Sequence, residues 1–279
     1  MSDRQQSPAH SLRERGLSPR KRLGQNFLKD RRFLDRILDA AAIGPEDTVL
    51  EIGAGTGVLT RAVAARARRV LAVELDDNLV RLLGEETRDQ PGVEIWHGNA
   101  LDLRPEEHFD GPYKLVGNIP YYITGPIVRH FLECRLPPSV LVLMVQREVA
   151  ERMCAGPGSL SLLGLAVQFY AEPSIVTRVP AGAFYPPPKV ESAIIRLTPR
   201  TRAAPPEETE DFFLVVRAGF GTKRKTLANG LRIGLQLSRA QAEEVLSAAS
   251  VDGRTRAQDL SLDDWRRLAH AYRSLREET

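Results

Sequence analysis

The sequence predicts an α/β protein: a mostly parallel sheet with helices on both faces, followed by a small all-helical domain. Three observations carry that prediction. Between residues 48 and 197, apolar runs of strand length alternate with stretches of helical periodicity, the pattern of parallel strands joined by crossover helices. A glycine-rich turn links the first such run to the helix after it. A proline-rich stretch without apolar pattern, TPRTRAAPPEE at 198–208, is followed by helical patterns alone. The expected divisions are a flexible basic arm over 1–20, an α/β domain over 21–200 and a helical domain over 206–279, in keeping with 279 residues and a 42% hydrophobic content.

Residues 1–20 are polar and lack apolar periodicity, which predicts a flexible arm; no apolar segment follows that would make it a secretory signal. From Asp30 onward Phe33, Leu34, Ile37, Leu38 and Ala41 recur at helical spacing, and Gly44 and Pro45 stop the run. Strands are expected at 48–52, 69–74, 93–96, 113–117 and 139–145, with a late one at 190–197. Helices are expected at 58–66, 78–87 and 126–133, with another beginning at 148. Past the proline-rich stretch, helical patterns cover 212–220, 225–231, 239–247 and 262–276, and Ser238 and Ser261 are suited to cap the last two.

The longest apolar runs, such as 140–145, are far shorter than the ~20 residues of a membrane span. Cys134 and Cys154 are too few for a disulfide framework and have no His or Cys at ligand spacing, so no metal site is expected; the composition suits a reducing cytoplasm. The net charge of +3 is unevenly placed. Residues 1–36 hold ten Lys/Arg against four acids, and residues 212–242 hold Arg217, Lys223, Arg224, Lys225, Arg232 and Arg239 with no acid. Positive charge gathered on a near-neutral body suits a polyanion such as nucleic acid; a solvated tail and helix face would look the same from charge alone.

The run EIGAGTG at 51–57 follows a strand and opens a helix. Glycines there let the backbone approach a ligand, and the helix start adds positive potential. A dinucleotide fingerprint starting at Gly53 requires glycine at 58, which is Val58. Glycines at alternate positions after Glu51 instead resemble the first motif of S-adenosylmethionine-dependent methyltransferases. Glu74 ends the next strand, where a carboxylate can accept both hydroxyls of a ribose. Asn99 follows the third strand, where that family usually carries Asp to accept from the adenine amino group; an Asn oxygen can do the same without charge.

Asn118, Ile119, Pro120 and Tyr121 close the fourth strand, at the carboxyl end where open α/β sheets place their chemistry. This N-I-P-Y resembles the signature of enzymes that methylate exocyclic amines of bases. An adenine N6 lone pair is delocalised into the ring and is a poor nucleophile. Two acceptors aimed at its hydrogens favour the localised, tetrahedral form; by the resemblance these are the Asn118 side-chain oxygen and the Ile119 carbonyl. Pro120 holds Ile119 extended, and Tyr121 offers a ring for stacking. In the segment FYPPPKVES at 184–192, Phe184 can cover the other face of a base and Lys189 can meet a phosphate; a proline-rich turn packed on the sheet is the competing reading.

Together GQNFL at 24–28, EIGAGTG, VELD at 73–76, GNIPYYI at 117–123, VQREVAERM at 145–153 and FYPPPKVESAIIRL at 184–197 resemble the ribosomal RNA adenine dimethylases over about residues 20–270. The stretch from Phe220 to Leu227 resembles the small-subunit branch. The resemblance implies a Rossmann-like methyltransferase domain using S-adenosylmethionine and no metal. It implies N6,N6-dimethylation of two adjacent adenines in the 3′-terminal hairpin of 16S-type RNA on a pre-assembled 30S particle, by a chain expected to be monomeric. The cofactor contacts it implies are Asn26, Leu28, Gly53, Gly55, Glu74, Asn99 and Asn118, with Lys189, Lys223, Arg224 and Lys225 on RNA. Two other readings remain: the large-subunit (23S) enzyme of macrolide resistance, and an assembly factor without catalysis, against which the intact Asn118, Pro120 and Tyr121 argue.

Overall fold

A computed structural model describes residues 7–200, 206–222 and 225–277. The chain packs as two units: residues up to Glu151 with Ala171–Pro199, and Arg152–Tyr170 with the residues from Arg200 onward.

The first unit is built on a seven-stranded sheet. Its strands in chain order are β2 (Thr48–Ile52), β3 (Arg69–Glu74), β4 (Val93–His97), β5 (Lys114–Asn118), β6 (Val140–Gln146), β7 (Ala171–Val179) and β9 (Ser192–Pro199); a separate two-stranded pair joins β1 (Phe27–Leu28) to β8 (Phe184–Tyr185). Across the large sheet the order is β4-β3-β2-β5-β6-β9-β7. Strands β2 to β6 pair in parallel, and β9 and β7 are added antiparallel. Central strands covered on both faces must be apolar throughout, and β6 (VLVLMVQ) is buried over six of its seven residues. Helices α2 (Arg31–Ala40), α3 (Val58–Ala64), α4 (Asp77–Glu86), α5 (Thr124–Glu133) and α6 (Arg147–Met153) follow the expected pattern. Asp30 caps α2 by accepting from Arg32 N, and Leu34, Ile37 and Leu38 turn inward as the periodicity requires.

Chain order reverses between β2 and β5. From β2 the chain moves one way to β3 and β4, then returns to lay β5 on the other side. That reversal opens a crevice at the carboxyl ends of the strands.

Several features depart from the sequence expectation. Residues 8–14, expected within a flexible arm, form helix α1 (Pro8–Glu14), capped by Ser7 with Pro at its first turn. Its one buried large apolar side chain, Leu12, packs with Leu79, Leu82 and Phe27; Ser11 Oγ donates to Glu86, and Arg15 pairs with Glu85. A single leucine makes no periodicity, so the pattern was silent. Strand β7 was not expected at all. It is an edge strand with Pro173, an irregularity between Ile175 and Thr177, and Ile175 and Val176 both partly open to solvent. These features of a guarded edge erase the two-residue alternation.

The third departure is Phe184. It is 1% exposed and packed with Leu28, Leu34 and Ile37, while β1 and β8 pair Leu28 with Phe184. It is a core side chain, not a free face for a base. Its neighbour Tyr185 is half-buried against Phe27 and Leu12.

The second unit is helical: α7 (Leu162–Tyr170), α8 (Pro206–Phe220), α9 (Leu227–Gly234), α10 (Arg239–Ala248) and α11 (Leu262–Glu277). Trp265, Phe212, Val216, Leu231 and Leu268 form its core. Phe169 stacks on Phe212 at 4.3 Å, so residues the sequence reading assigned to the α/β domain pack here. Residues 160–170 (LSLLGLAVQFY) are apolar on several faces and need cover beyond a single stripe. Ser238 caps α10 in a reciprocal capping box with Gln241, and Ser261 makes the same exchange with Asp264 before α11.

Phe184→Ala is expected to lower the free energy of unfolding by ~3–5 kcal/mol, the cost of a large cavity in a packed core. The urea midpoint checks it; a side chain held for base stacking would shift stability by less than ~0.5 kcal/mol.

Candidate active site

A cleft open to solvent lies at the carboxyl ends of β2, β3, β4 and β5. The glycine turn, Glu74, Asn99 and residues 118–123 line it, and residues 23–27 cross it as a strap.

The turn is shaped by left-handed glycines. Gly53 has φ 73°, and a Cβ there would stand 3.3 Å from the backbone oxygen of Asn118. Gly55 has φ 59°, and its Cβ would meet the Phe27 ring at 3.0 Å. No other residue fits both the angle and the space. The backbone donors of this turn point into the protein: Gly53 and Ala54 donate to Val73 O, and Gly55 donates to Glu74. The glycines thus give the cleft room rather than a row of free N–H groups.

Glu74 is buried and held by three amides. Its Oε2 accepts from Gly55 N at 2.8 Å; its Oε1 accepts from Leu75 N at 2.8 Å and Asp76 N at 2.9 Å. Burial raises its pKa, while these amides favour the charged form. Oε2, with a single donor, retains acceptor capacity, and Glu74 lines the cleft. Glu51 lies deeper, 1% exposed, with Oε2 lacking a hydrogen-bond partner among the described residues. Burial pushes its pKa up to about 8, Glu74's negative charge adds to the rise, and Arg61 opposes it. The acid at the head of the glycine motif is therefore neutral near pH 7.

Asn99 lines the cleft, but its Oδ1 accepts from Leu101 N at 3.2 Å. Asn118 ends β5 and donates from Nδ2 to the backbone oxygen of Asn26 at 2.8 Å. A carbonyl oxygen only accepts, so this bond fixes which end of the carboxamide is the NH₂ and leaves Oδ1 free to accept. Asn26 sits in the strap, and its own Nδ2 donates to Gly24 O. The Ile119 side chain is buried, and Pro120 is extended with φ −56° and ψ 134°. The Tyr121 hydroxyl and Ser192 Oγ are 2.6 Å apart, which pins the ring beside the cleft.

The structure thus gathers Asn26, Gly53, Gly55, Glu74, Asn99, Asn118, Ile119, Pro120 and Tyr121 in one cleft. Leu28 is not among them: its side chain is 5% exposed in the core. Phe184 is likewise absent, for the packing reason given above. Lys189 and Lys225 are exposed outside the cleft, and Lys223 and Arg224 lie outside the described residues. The lining also includes residues that the sequence does not single out, among them Gln25, within the GQNFL motif, and Tyr122, which is 61% exposed at the cleft. The doubled tyrosine of NIPYYI was the available signal for the latter.

Among the described residues no helix is long and apolar enough to cross a membrane. The profile of the family described as "Ribosomal RNA adenine dimethylase" matches residues 16–274. The "Ribosomal RNA small subunit methyltransferase A" of Dehalococcoides mccartyi is 46% identical over 259 residues, covering 92% of this chain and 89% of its own length. That of Pelotomaculum thermopropionicum is 45% identical over 276 residues, covering 94% of each. Among solved structures, a dimethyladenosine transferase from Plasmodium falciparum aligns with a TM-score of 0.76 at 27% identity, covering 89% of this chain and 98% of its own. The 23S rRNA methyltransferase ErmE aligns with a TM-score of 0.72 at 31% identity, covering 88% and 99%.

Glu51 ties stability to pH. Its pKa is near 8 when folded against an ordinary 4.5, so the native state holds the extra proton between those values and stability falls as pH rises through that window. Glu51→Gln removes the titrating group. The variant is expected to be more stable than the parent at pH 8.5 and to converge with it toward pH 5, as read by thermal unfolding. A difference independent of pH would mean that the charge is not what the substitution relieves.

Proposed function

The chain belongs to the ribosomal RNA adenine dimethylase family, and on that footing we propose that it transfers methyl groups from S-adenosylmethionine to N6 of two adjacent adenines. The target is the 3′-terminal hairpin of small-subunit (16S) ribosomal RNA, presented on a pre-assembled 30S particle. The chain acts as a monomer in the cytoplasm, in small-subunit biogenesis. The observation that carries the reading is the Asn118 carboxamide, tied by its Nδ2 to Asn26 so that its oxygen is presented as an acceptor.

The cleft suits the donor. Left-handed glycines clear space that any Cβ would fill, and the Glu74 carboxylate stands beside them for the ribose hydroxyls. Asn99 faces the adenine edge; its Oδ1, partly engaged by Leu101 N, retains a second lone pair. S-adenosylmethionine, when bound, supplies an electrophilic methyl group on a cationic sulfur.

The chain's own residues then prepare the amine. The Asn118 oxygen and the Ile119 carbonyl accept the two N6 hydrogens and draw the lone pair out of the ring. The 2.6 Å contact with Ser192 keeps the Tyr121 ring steady for a base stacked on it. Such a contact is worth ~1–3 kcal/mol per base. Both acceptors are neutral, so no side chain need titrate; the methylated nitrogen loses its proton to solvent. The rate gain comes from positioning and preorganised dipoles. In the helical unit, Lys223, Arg224 and Lys225 hold RNA phosphates, and Lys189 does so beside the α/β unit.

The similarity to ErmE supports a second reading, methylation of large-subunit RNA. Labelled S-adenosylmethionine offered with unmethylated small and large subunits in one assay separates the two, and small-subunit label is expected. No label with binding retained would favour a non-catalytic assembly factor.

Asn118→Ala is expected to lower turnover by about 10²–10³, as for loss of one preorganised polar group, with RNA affinity kept. An unchanged rate would remove Asn118 from the chemistry. Neutralising Lys223, Arg224 and Lys225 is expected to flatten the dependence of log affinity on log salt by up to about one contact per residue; an identical slope would count against that patch.

A further inference from the structure

Gln25 and Asp76 have no chemical role in the reaction just described, yet they stand between its two halves. Asp76 is 4% exposed, and a buried carboxylate must find donors. Its Oδ1 accepts from Asn78 N at 3.0 Å and so caps α4. Its Oδ2 takes Gln25 Nε2 at 3.2 Å and Arg20 Nη1 at 2.9 Å. Its own N–H donates to Glu74 Oε1. Gln25 in turn accepts Arg20 N on its Oε1 at 2.7 Å. One side chain therefore closes a ring from the main chain at Arg20, through the buried acid, to the strap.

Beyond the Arg20–Asp76 pair, the Asn118 bond to Asn26 and the burial of Phe27, the stretch has little regular structure. Lys21–Leu23 is a single 3₁₀ turn, Gly24 is left-handed at φ 61°, and regular pairing begins only with the two residues of β1. The next residue after Gln25 is Asn26, whose backbone oxygen holds the Asn118 Nδ2. If the strap drifts, Asn118 loses the partner that orients it, and the carboxamide can turn its NH₂ toward an amine it needs to accept from.

We propose that Gln25 is a positioning residue: by latching the strap to Asp76 it keeps the Asn26 carbonyl in place and the Asn118 oxygen turned toward the substrate amine. The inference rests on the amine-methylating role given to Asn118 above. The donor character of Gln25 is essential, because Asp76 can only accept. A carboxylate of the same shape at position 25 would meet a second negative charge.

The test uses the full chain, unmethylated small subunits and the variants Gln25→Glu and Gln25→Ala. Both should lower kcat about tenfold, the scale of one hydrogen bond lost from a preorganised site, with KM for the subunit within about twofold and the chain still folded at the assay temperature, although its melting temperature falls because Asp76 loses a donor. Gln25→Glu preserves shape, so a space-filling role predicts no loss for it. Combined with Asn118→Ala, either variant should cost nothing further within about twofold, because both act through one carboxamide. Hydrogen exchange of the amides at 20–26 should quicken in both variants, and this readout needs no substrate. Wild-type kcat in Gln25→Glu, a loss confined to KM, an undiminished loss beside Asn118→Ala, or unaltered exchange would overturn the latch. If the wild-type chain labels no subunit while exchange at 20–26 still responds, the functional reading fails and the latch survives as a structural contact.

Discussion

The site depends on how closely β5 lies against β2. Their register sets Gly117 beside Ile52, and a Cβ at 117 would stand 2.7 Å from the Ile52 oxygen. Any side chain there would force the strands apart or shift their pairing. With glycine they end level, so the next residue on each, Gly53 and Asn118, meet at the crevice. A Cβ on Gly53 would in turn approach the Asn118 backbone oxygen at 3.3 Å. Gly117 and Gly53 therefore bring the glycine turn and the N-I-P-Y loop into one cleft. Reaction between bound partners depends on such contact, because misplacement by ~1 Å can cost ~10²-fold in rate.

Around that contact, acids are handled in three ways. Glu51, sealed beneath the turn, is held neutral near pH 7 by burial. Glu74 is surrounded by amide donors that favour its charge. Asp76 is satisfied by a cap, a carboxamide and a guanidinium. Each solution answers the same constraint: a buried carboxylate needs donors or a proton.

How much of this was legible in the sequence follows from how local each signal is. The glycine turn and N-I-P-Y are encoded in consecutive residues, and their places at the ends of β2 and β5 follow from strand periodicity. Helix α1 is silent in the sequence because Leu12 is its one large apolar residue facing the core and its other ties are polar, and β7 because an edge strand with a proline and an irregular register does not alternate. Phe184 was misread since an aromatic in a proline-rich segment looks the same whether it faces a base or a core; only its pairing with Leu28 decides. The bond from Gln25 to Asp76 spans 51 positions, and nothing in either segment alone announces the other.

The choice of a neutral acceptor at position 118 follows from the same electrostatics. A carboxylate there would hold an amine's hydrogens more strongly, but it would stand at the end of a strand beside β2, whose last turn already buries Glu51, with Glu74 across the cleft. A third acid would raise the pKa of its neighbours and invite protonation, which turns an acceptor into a donor. A carboxamide cannot be protonated at ordinary pH. Its remaining weakness is that it can flip, presenting NH₂ where oxygen is needed. The Asn26 carbonyl removes that freedom, because it accepts only from the NH₂ end. The site thereby exchanges charge for a fixed orientation, and the strap that supplies Asn26 becomes part of the chemistry without touching the substrate amine.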